Sequence, residues 1–143
     1  MKLAFTVFCR PEPQGSARAF IPKGWSRPVI TSANKELKSF RQQVSVVAHS
    51  AMITKQKESN YLLQPFEKKA SVRMILKFYF HRPKSKKSTA AMTTRPDLDK
   101  LVRAIGDALI GICYHDDSQV NDLQVKKLYG EPERTEIEIE VGL

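Results

Sequence analysis

The stretch from residue 97 to residue 112 constrains the fold more than any other part of the chain. Leu98, Leu101, Val102, Ile105, Ala108, Leu109 and Ile112 recur at i, i+3, i+4 and i+7. That spacing predicts one helix with a single apolar stripe. Pro96 suits a first turn, where a missing N–H costs nothing, and Gly111 suits the end. Such a stripe has to be buried against other apolar elements.

The rest of the chain offers them. KLAFTVFC, residues 2–9, carries Phe and Val in imperfect alternation and predicts a strand. Its apolar run is barely long enough for the core of a signal sequence, lacks a small-residue cleavage site and stops at Arg10, so a strand is the better reading. The next segment, through Ser32, holds four prolines, two glycines and four Arg or Lys together with Trp25. It reads as a long loop.

Ser32 is a candidate N-cap for an amphipathic helix carrying Leu37, Phe40, Val44, Val47 and Ala51 on one face. Residues 54–69 are polar and read as a connector. ASVRMILKFYF, residues 70–80, predicts a central strand. The segment after it, residues 81–95, has five basic residues and no acidic one, a composition expected to be mobile without a ligand.

A turn at Tyr114–Ser118 and a strand over 119–129 follow the second helix. In TEIEIEV, Ile137, Ile139 and Val141 alternate with Glu136, Glu138 and Glu140, a half-exposed strand whose glutamates face solvent. The chain of 143 residues has the usual length of one domain, about 100–200 residues. The expected fold class is therefore α/β in the broad sense, an α+β domain over 1–143. It has a mixed sheet of about four strands and two main helices, in the order β-α-β-α-β-β.

Charge narrows function. The net charge is +9, but residues 1–96 hold 19 Lys/Arg against 4 Asp/Glu, while residues 97–143 hold 5 against 11. A basic majority suits a polyanion. Clustered carboxylates in such a protein have one clear use, holding divalent cations that screen the phosphate; a solvated acidic face is the alternative. No stretch approaches the ~20 apolar residues of a membrane span. Cys9 and Cys113 have neither zinc nor disulfide spacing, which suits a reducing cytoplasm.

At 100° per residue, Asp99, Arg103 and Asp107 share one narrow stripe of the second helix, opposite the apolar one. Asp97 lies where the helix dipole favours an anion. Asp116 and Asp117 follow the helix, and a strand running back beside it can bring one of them to Asp97 and Asp99. Spacing leaves that open. Oxygen ligands without His or Cys suit Mg²⁺ or Mn²⁺, not Zn²⁺. Arg103 is either a cation for phosphate charge or an i, i+4 partner of Asp99 and Asp107. A purely structural role for the whole pattern also stays open.

RPDLDKLVRAIGDALIGICYHDDSQV, residues 95–120, resembles the signature of the RusA family of crossover junction endodeoxyribonucleases. There an Asp-x-Asp pair opens a helix and an Asp-Asp-x-Gln-Val run follows it. The order of elements and Ile30-Thr31-Ser32 ahead of the first helix are similar too. The resemblance implies a homodimer that uses Mg²⁺ to cut four-way DNA junctions symmetrically. It implies Asp97, Asp99 and Asp117 as metal carboxylates, with Asp116 and Asp107 in support. Arg103 stands where the family has a functional lysine, and Lys100 where it often has Asn. Arginine keeps the charge but does not exchange protons near neutral pH. Carriage by prophages is a further implication.

Phosphate contacts are expected from Arg82, Lys84, Lys86, Lys87 and Arg95, with Lys100 beside the acidic pair. Trp25, between Lys23 and Arg27, either stacks on an unpaired base or is buried against the first strand. His115 is expected on the surface and Cys113 in the core. The first and last strands are the candidate dimer contacts. Two other classes compete with a junction nuclease: a non-catalytic binder of DNA structures, and a phosphohydrolase of small nucleotides. The extended basic surface disfavours the latter.

Overall fold

The computed structural model describes the chain apart from residues 16, 33, 60–64 and 143. Six strands and two helices run β1 Lys2–Val7, β2 Ala17–Phe20, β3 Val29–Ser32, α1 Leu37–Ser59, β4 Ser71–Phe80, α2 Leu98–Leu109, β5 Val120–Tyr129 and β6 Arg134–Gly142. A 3-10 turn, Asp117–Gln119, precedes β5. β1, β6, β4 and β5 form the main sheet in that order. β1–β6 and β6–β4 are antiparallel, while β4–β5 is parallel, so the sheet is mixed. A parallel pair needs a crossover, and α2 supplies it.

Period-two patterning makes one face of this sheet apolar. Val72, Met74, Leu76, Phe78 and Phe80 of β4 and Ile137 and Ile139 of β6 are buried, with Leu3 and Val7 of β1. Both helices cover that face, α1 against β1 and α2 against β5, and they touch each other. From α1 come Leu37, Phe40, Val44, Ala48 and Met52; from α2, Leu101, Ala104, Ile105, Ala108 and Leu109. Cys113 is buried with them, as expected, and burial pushes its thiol pKa up to about 12. Gly111 takes φ +79 just past α2, the left-handed geometry that ends helices.

The glutamates of β6 are not simply solvated. Glu138 pairs with Lys2 at 2.5 Å, Glu136 with Arg134 at 3.1 Å and Glu140 with Arg73 at 3.9 Å. Because β6 lies between β1 and β4, its backbone edges are both occupied. Of the first and last strands, only β1 offers a free edge.

Three other expectations are corrected. The loop expected over residues 10–32 contains the hairpin β2–β3, closed through Gly24 at φ +85; its prolines lie outside the paired residues. Ser32 ends β3 instead of capping α1, and its side chain lies outside the described residues. Asn34 takes over near the helix start, its Oδ1 accepting from Glu36 N at 3.0 Å. α1 runs on through the expected connector to Ser59, since Lys55, Gln56, Lys57 and Glu58 are good helix formers and Gln56 is buried. Residues 60–64 of that connector lie outside the described residues.

Candidate active site along the second helix

The helix face opposite the core carries the acidic residues. Asp97 occupies the N-cap position of α2 but makes no side-chain cap bond. It faces Lys100 at 3.7 Å. Asp99, one turn in, and Arg103, one turn further, are exposed, and Asp107 is half-buried. Among the described residues Arg103 forms no ion pair with Asp99 or Asp107, so the helical-partner role is not taken up.

The approach to α2 is fixed from the sheet. Lys127 of β5 sits opposite Phe78 in the register and therefore on the helix-facing side. Its Nζ donates to Thr94 O at 2.6 Å and Pro96 O at 2.9 Å. An inward lysine on an edge strand also discourages edge-to-edge pairing. Sequence reading passed over Lys127 because a lysine in a strand looks like any solvated charge.

Asp116 and Asp117, adjacent in sequence, are used differently. Asp116 caps the 3-10 turn: its Oδ1 accepts from Ser118 N at 2.9 Å. Those bonds from Ser118 hold its pKa below the usual carboxylate value. Gln119 completes the box, its Oε1 accepting from His115 N at 2.8 Å and Asp116 N at 3.2 Å. Its buried amide donates to Glu67 O at 2.7 Å and Ala70 O at 3.1 Å. The Asp-Asp-x-Gln run is thus a clamp that fixes where Asp117 stands. Here the first Asp and the Gln carry structure, a division that spacing does not reveal.

Asp117 is delivered to α2 at Gly106. A Cβ on Gly106 would lie 3.5 Å from Asp117 Oδ1 and 3.9 Å from Tyr114 Oη. Tyr114, fully buried, donates its hydroxyl to Gly106 O at 3.1 Å. Partial burial there, then the nearby charges of Asp107 and Asp116, push the Asp117 pKa above its ordinary value. Among the described residues Asp99, Asp107, Asp116 and Asp117 have no ion pair.

Gly106 follows Asp99 by seven residues, which puts it within about 20° of the same direction and roughly 10 Å further along the axis. The site is therefore a line along α2 from Asp97 to Asp107, with Asp117 laid on its far half. Asp97, Asp99 and Asp117 do not form one group among the described residues. Among the described residues no three acidic, His or Cys side chains are grouped to hold a metal ion.

The basic surfaces flank this line. Lys84, Lys86, Lys87 and Arg95 are exposed on the segment between β4 and α2. Arg82 donates to Lys86 O at 2.9 Å, which closes a turn there. Trp25 is 62% exposed in the β2–β3 loop, so burial against β1 is excluded. His115 is exposed, as expected. No helix among the described residues is long and apolar enough to cross a membrane.

Comparison with known proteins extends over the whole of this arrangement. The family model described as Endodeoxyribonuclease RusA matches residues 11–140. A protein of Bacillus subtilis (strain 168), named Uncharacterized protein YqaN, is 33% identical over 148 residues, covering 96% of this chain and 94% of that protein. The Crossover junction endodeoxyribonuclease rusA of Lactococcus phage r1t is 36% identical over 75 residues, 52% of this chain and 57% of that protein. With the match running through both acidic blocks and nearly the full α+β domain, the chain belongs to the RusA endodeoxyribonuclease family.

Proposed function

We propose that this chain is a homodimeric, Mg²⁺-dependent endonuclease that resolves four-way (Holliday) junctions by paired symmetric nicks, in DNA recombination and repair. The observation that carries this reading is Asp117, an exposed carboxylate placed beside α2 at Gly106, near Asp107, and given no counter-charge among the described residues. In a chain of net charge +9, an uncompensated acidic pair suits a cation from outside.

The donor set fits a hard ion, being all carboxylate oxygen. Mg²⁺ keeps several waters and is commonly held by one or two carboxylates together with substrate phosphate. A line of aspartates is adequate for that, and a closed three-carboxylate cage is not required. We assign Asp97, Asp99 and Asp117 as the metal-holding carboxylates of the line, an ion taking one or two of them together with substrate phosphate and Mn²⁺ serving as a substitute. Asp107 supports from across Gly106, and Asp116 supports by capping the turn beneath Asp117.

When bound, the ion supplies an activated water and neutralises charge on the phosphate. The protein's own share is positional. Arg103, without an ion pair among the described residues, faces the phosphate and stabilises negative charge as it grows. The segment from Arg82 to Arg95 and Lys100 hold flanking phosphates, and Trp25 is free to stack on a base. Two such sites related by a two-fold axis match the two-fold symmetry of a junction. The phage protein among the relatives supports a prophage setting, with action on DNA in the cytoplasm and nucleoid.

That no three such side chains are grouped among the described residues favours one rival, a junction-binding protein without catalysis. Incubating the wild type, Asp99→Asn and Asp117→Asn with a synthetic four-way junction, with and without Mg²⁺, separates the two. Paired nicks that need the metal, lost in both variants while junction binding survives, are expected. Junction binding without nicking in Mg²⁺ or Mn²⁺ would establish the rival.

A further inference from the structure

Two clefts open on the α1 side of α2. The first, about 590 Å³, lies between the segment after β1 and the start of α2, with Arg10, Lys35, Arg95 and Lys100 facing Glu12 and Asp97. The second, about 500 Å³, lies between α1 and the end of α2, with Lys38 and Arg41 on its rim and Asp107 on its far wall. Asn34 lines both, so they form one groove running beside the acidic line.

The groove is built into the fold. Asn34 Nδ2 donates to Pro13 O at 2.7 Å, and Gln14 N donates to Lys100 O at 2.9 Å. Those bonds tie its wall to α1 and α2 together. Arg10 is already held by Glu133 at 3.2 Å. Among the described residues Lys35, Lys38, Arg41 and Arg95 have no ion pair, and they are spaced along the groove.

Its floor differs from its rim. Ile110 and Ile112 lie along the second cleft over the buried Leu37, and Ile110 is 41% exposed. Cations on one edge and apolar side chains beneath suit a ligand with a charged edge and flat apolar faces. A single DNA strand has that form, with its bases available; a duplex hides its bases in the stack. Each cleft also has the volume of a small-ligand site, about 300–1,000 Å³, which suits nucleotides in file and not a double helix.

We propose that this groove binds a single DNA strand, its phosphates on Lys35, Lys38, Arg41 and Arg95 and its bases over Ile110 and Ile112. The duplex arms are then left to Arg82, Lys84, Lys86 and Lys87 on the segment between β4 and α2. The inference rests on the junction reading for its substrate, since each exchanging strand leaves one duplex for another at the crossover. Its test needs no cleavage.

Anisotropy titrations of a labelled oligothymidylate and a matched duplex, in EDTA over a salt series, measure it. Removing three phosphate contacts lowers the single-strand salt slope by about 2, at about 0.7 per contact. Lys35→Ala/Lys38→Ala/Arg41→Ala is expected to show that fall and to bind the oligothymidylate at least ~10-fold more weakly, with duplex affinity changed less than ~3-fold. Ile110→Asp, which keeps every cation, is expected to weaken the single strand alone. Lys57→Ala/Lys68→Ala/Lys69→Ala removes equal charge elsewhere and is expected to change neither.

Equal losses for single strand and duplex, an unaffected single strand, or a wild type that does not bind the oligothymidylate would each overturn the proposal. Selective loss of single-strand binding in a protein that never nicks junctions would keep the groove and remove the nuclease.

Discussion

The two acidic regions, the start of α2 and the turn before β5, hold the same residue type under opposite electrostatic conditions. At the start of α2, Asp97 has Lys100 at 3.7 Å and stands in a cleft with Arg10, Lys35 and Arg95. Lys127 anchors the backbone just ahead. At the turn, the charges beside Asp117 are those of Asp107 and Asp116, and its pKa rises. Among the described residues Asp97 is compensated from within the chain and Asp117 is not. The difference indicates where an added cation gains most, because relieving like charge near a partly desolvated carboxylate is worth more than joining an existing pair.

Asn at position 117 tests this most severely. Asp117→Asn is expected to slow junction nicking by ~100-fold or more, equal to about 2.7 kcal/mol of transition-state stabilisation. Without metal the same variant is expected to melt no lower than wild type, since repulsion with Asp107 is removed. Asp97→Asn, which gives up the Lys100 pair, is expected to gain no such stability. Thermal melts in EDTA decide the matter, and an equal rise in both variants would erase the contrast between the regions.

The clamp under Asp117 comes next. Gln119→Ala removes both donors to Glu67 O and Ala70 O and the acceptor for His115 N and Asp116 N. Leaving such groups unpaired costs about 1–3 kcal/mol each where they stay buried; with water reaching some of them, a loss of about 2–3 kcal/mol in urea denaturation is expected. Unchanged stability would mean that the turn holds Asp117 without its clamp, and the comparison would lose its structural basis.

Much of this was legible beforehand. The apolar stripe of α2, the central strand and the alternating last strand carry periodicities that burial imposes directly, so their residues could be read as elements. The hairpin Ala17–Phe20 with Val29–Ser32 was hidden because its prolines and glycines suggest loop, although they fall between and beside the paired residues. At the site, the stripe Asp99, Arg103 and Asp107 followed from helix geometry alone. The placement of Asp117 on Gly106, the inward Lys127 and the capping work of Asp116 depend on the parallel β4–β5 register, a long-range pairing that spacing does not encode.

Asp116 supplies a smaller and sharper contrast with its neighbour. If its work is to cap, Asp116→Ala is expected to cost about 1 kcal/mol and Asp116→Asn little, because Asn caps as well as Asp. Nicking by Asp116→Asn is expected to stay within roughly 5-fold of wild type, since a preserved cap keeps Asp117 in place. A loss as large as that of Asp117→Asn would make Asp116 a metal-holding carboxylate and move the uncompensated region by one residue.

The smallest expected effect falls on Gly106, where stability and function are set against each other. Glycine within α2 is less favourable than alanine by roughly 0.5–1 kcal/mol, and a methyl there would meet Asp117 Oδ1 at 3.5 Å, an ordinary contact. Gly106→Ala is therefore expected to stabilise the metal-free protein by about that amount in denaturant unfolding. The same methyl covers part of the carboxylate that faces α2 and further desolvates it, so Mg²⁺ titrations of nicking should need more metal to reach half-maximal rate. If the variant gained stability with no change in metal requirement, the Asp117 oxygen beside Gly106 would not be the one that holds the ion, and the free region would have to act through the oxygen facing Asp107.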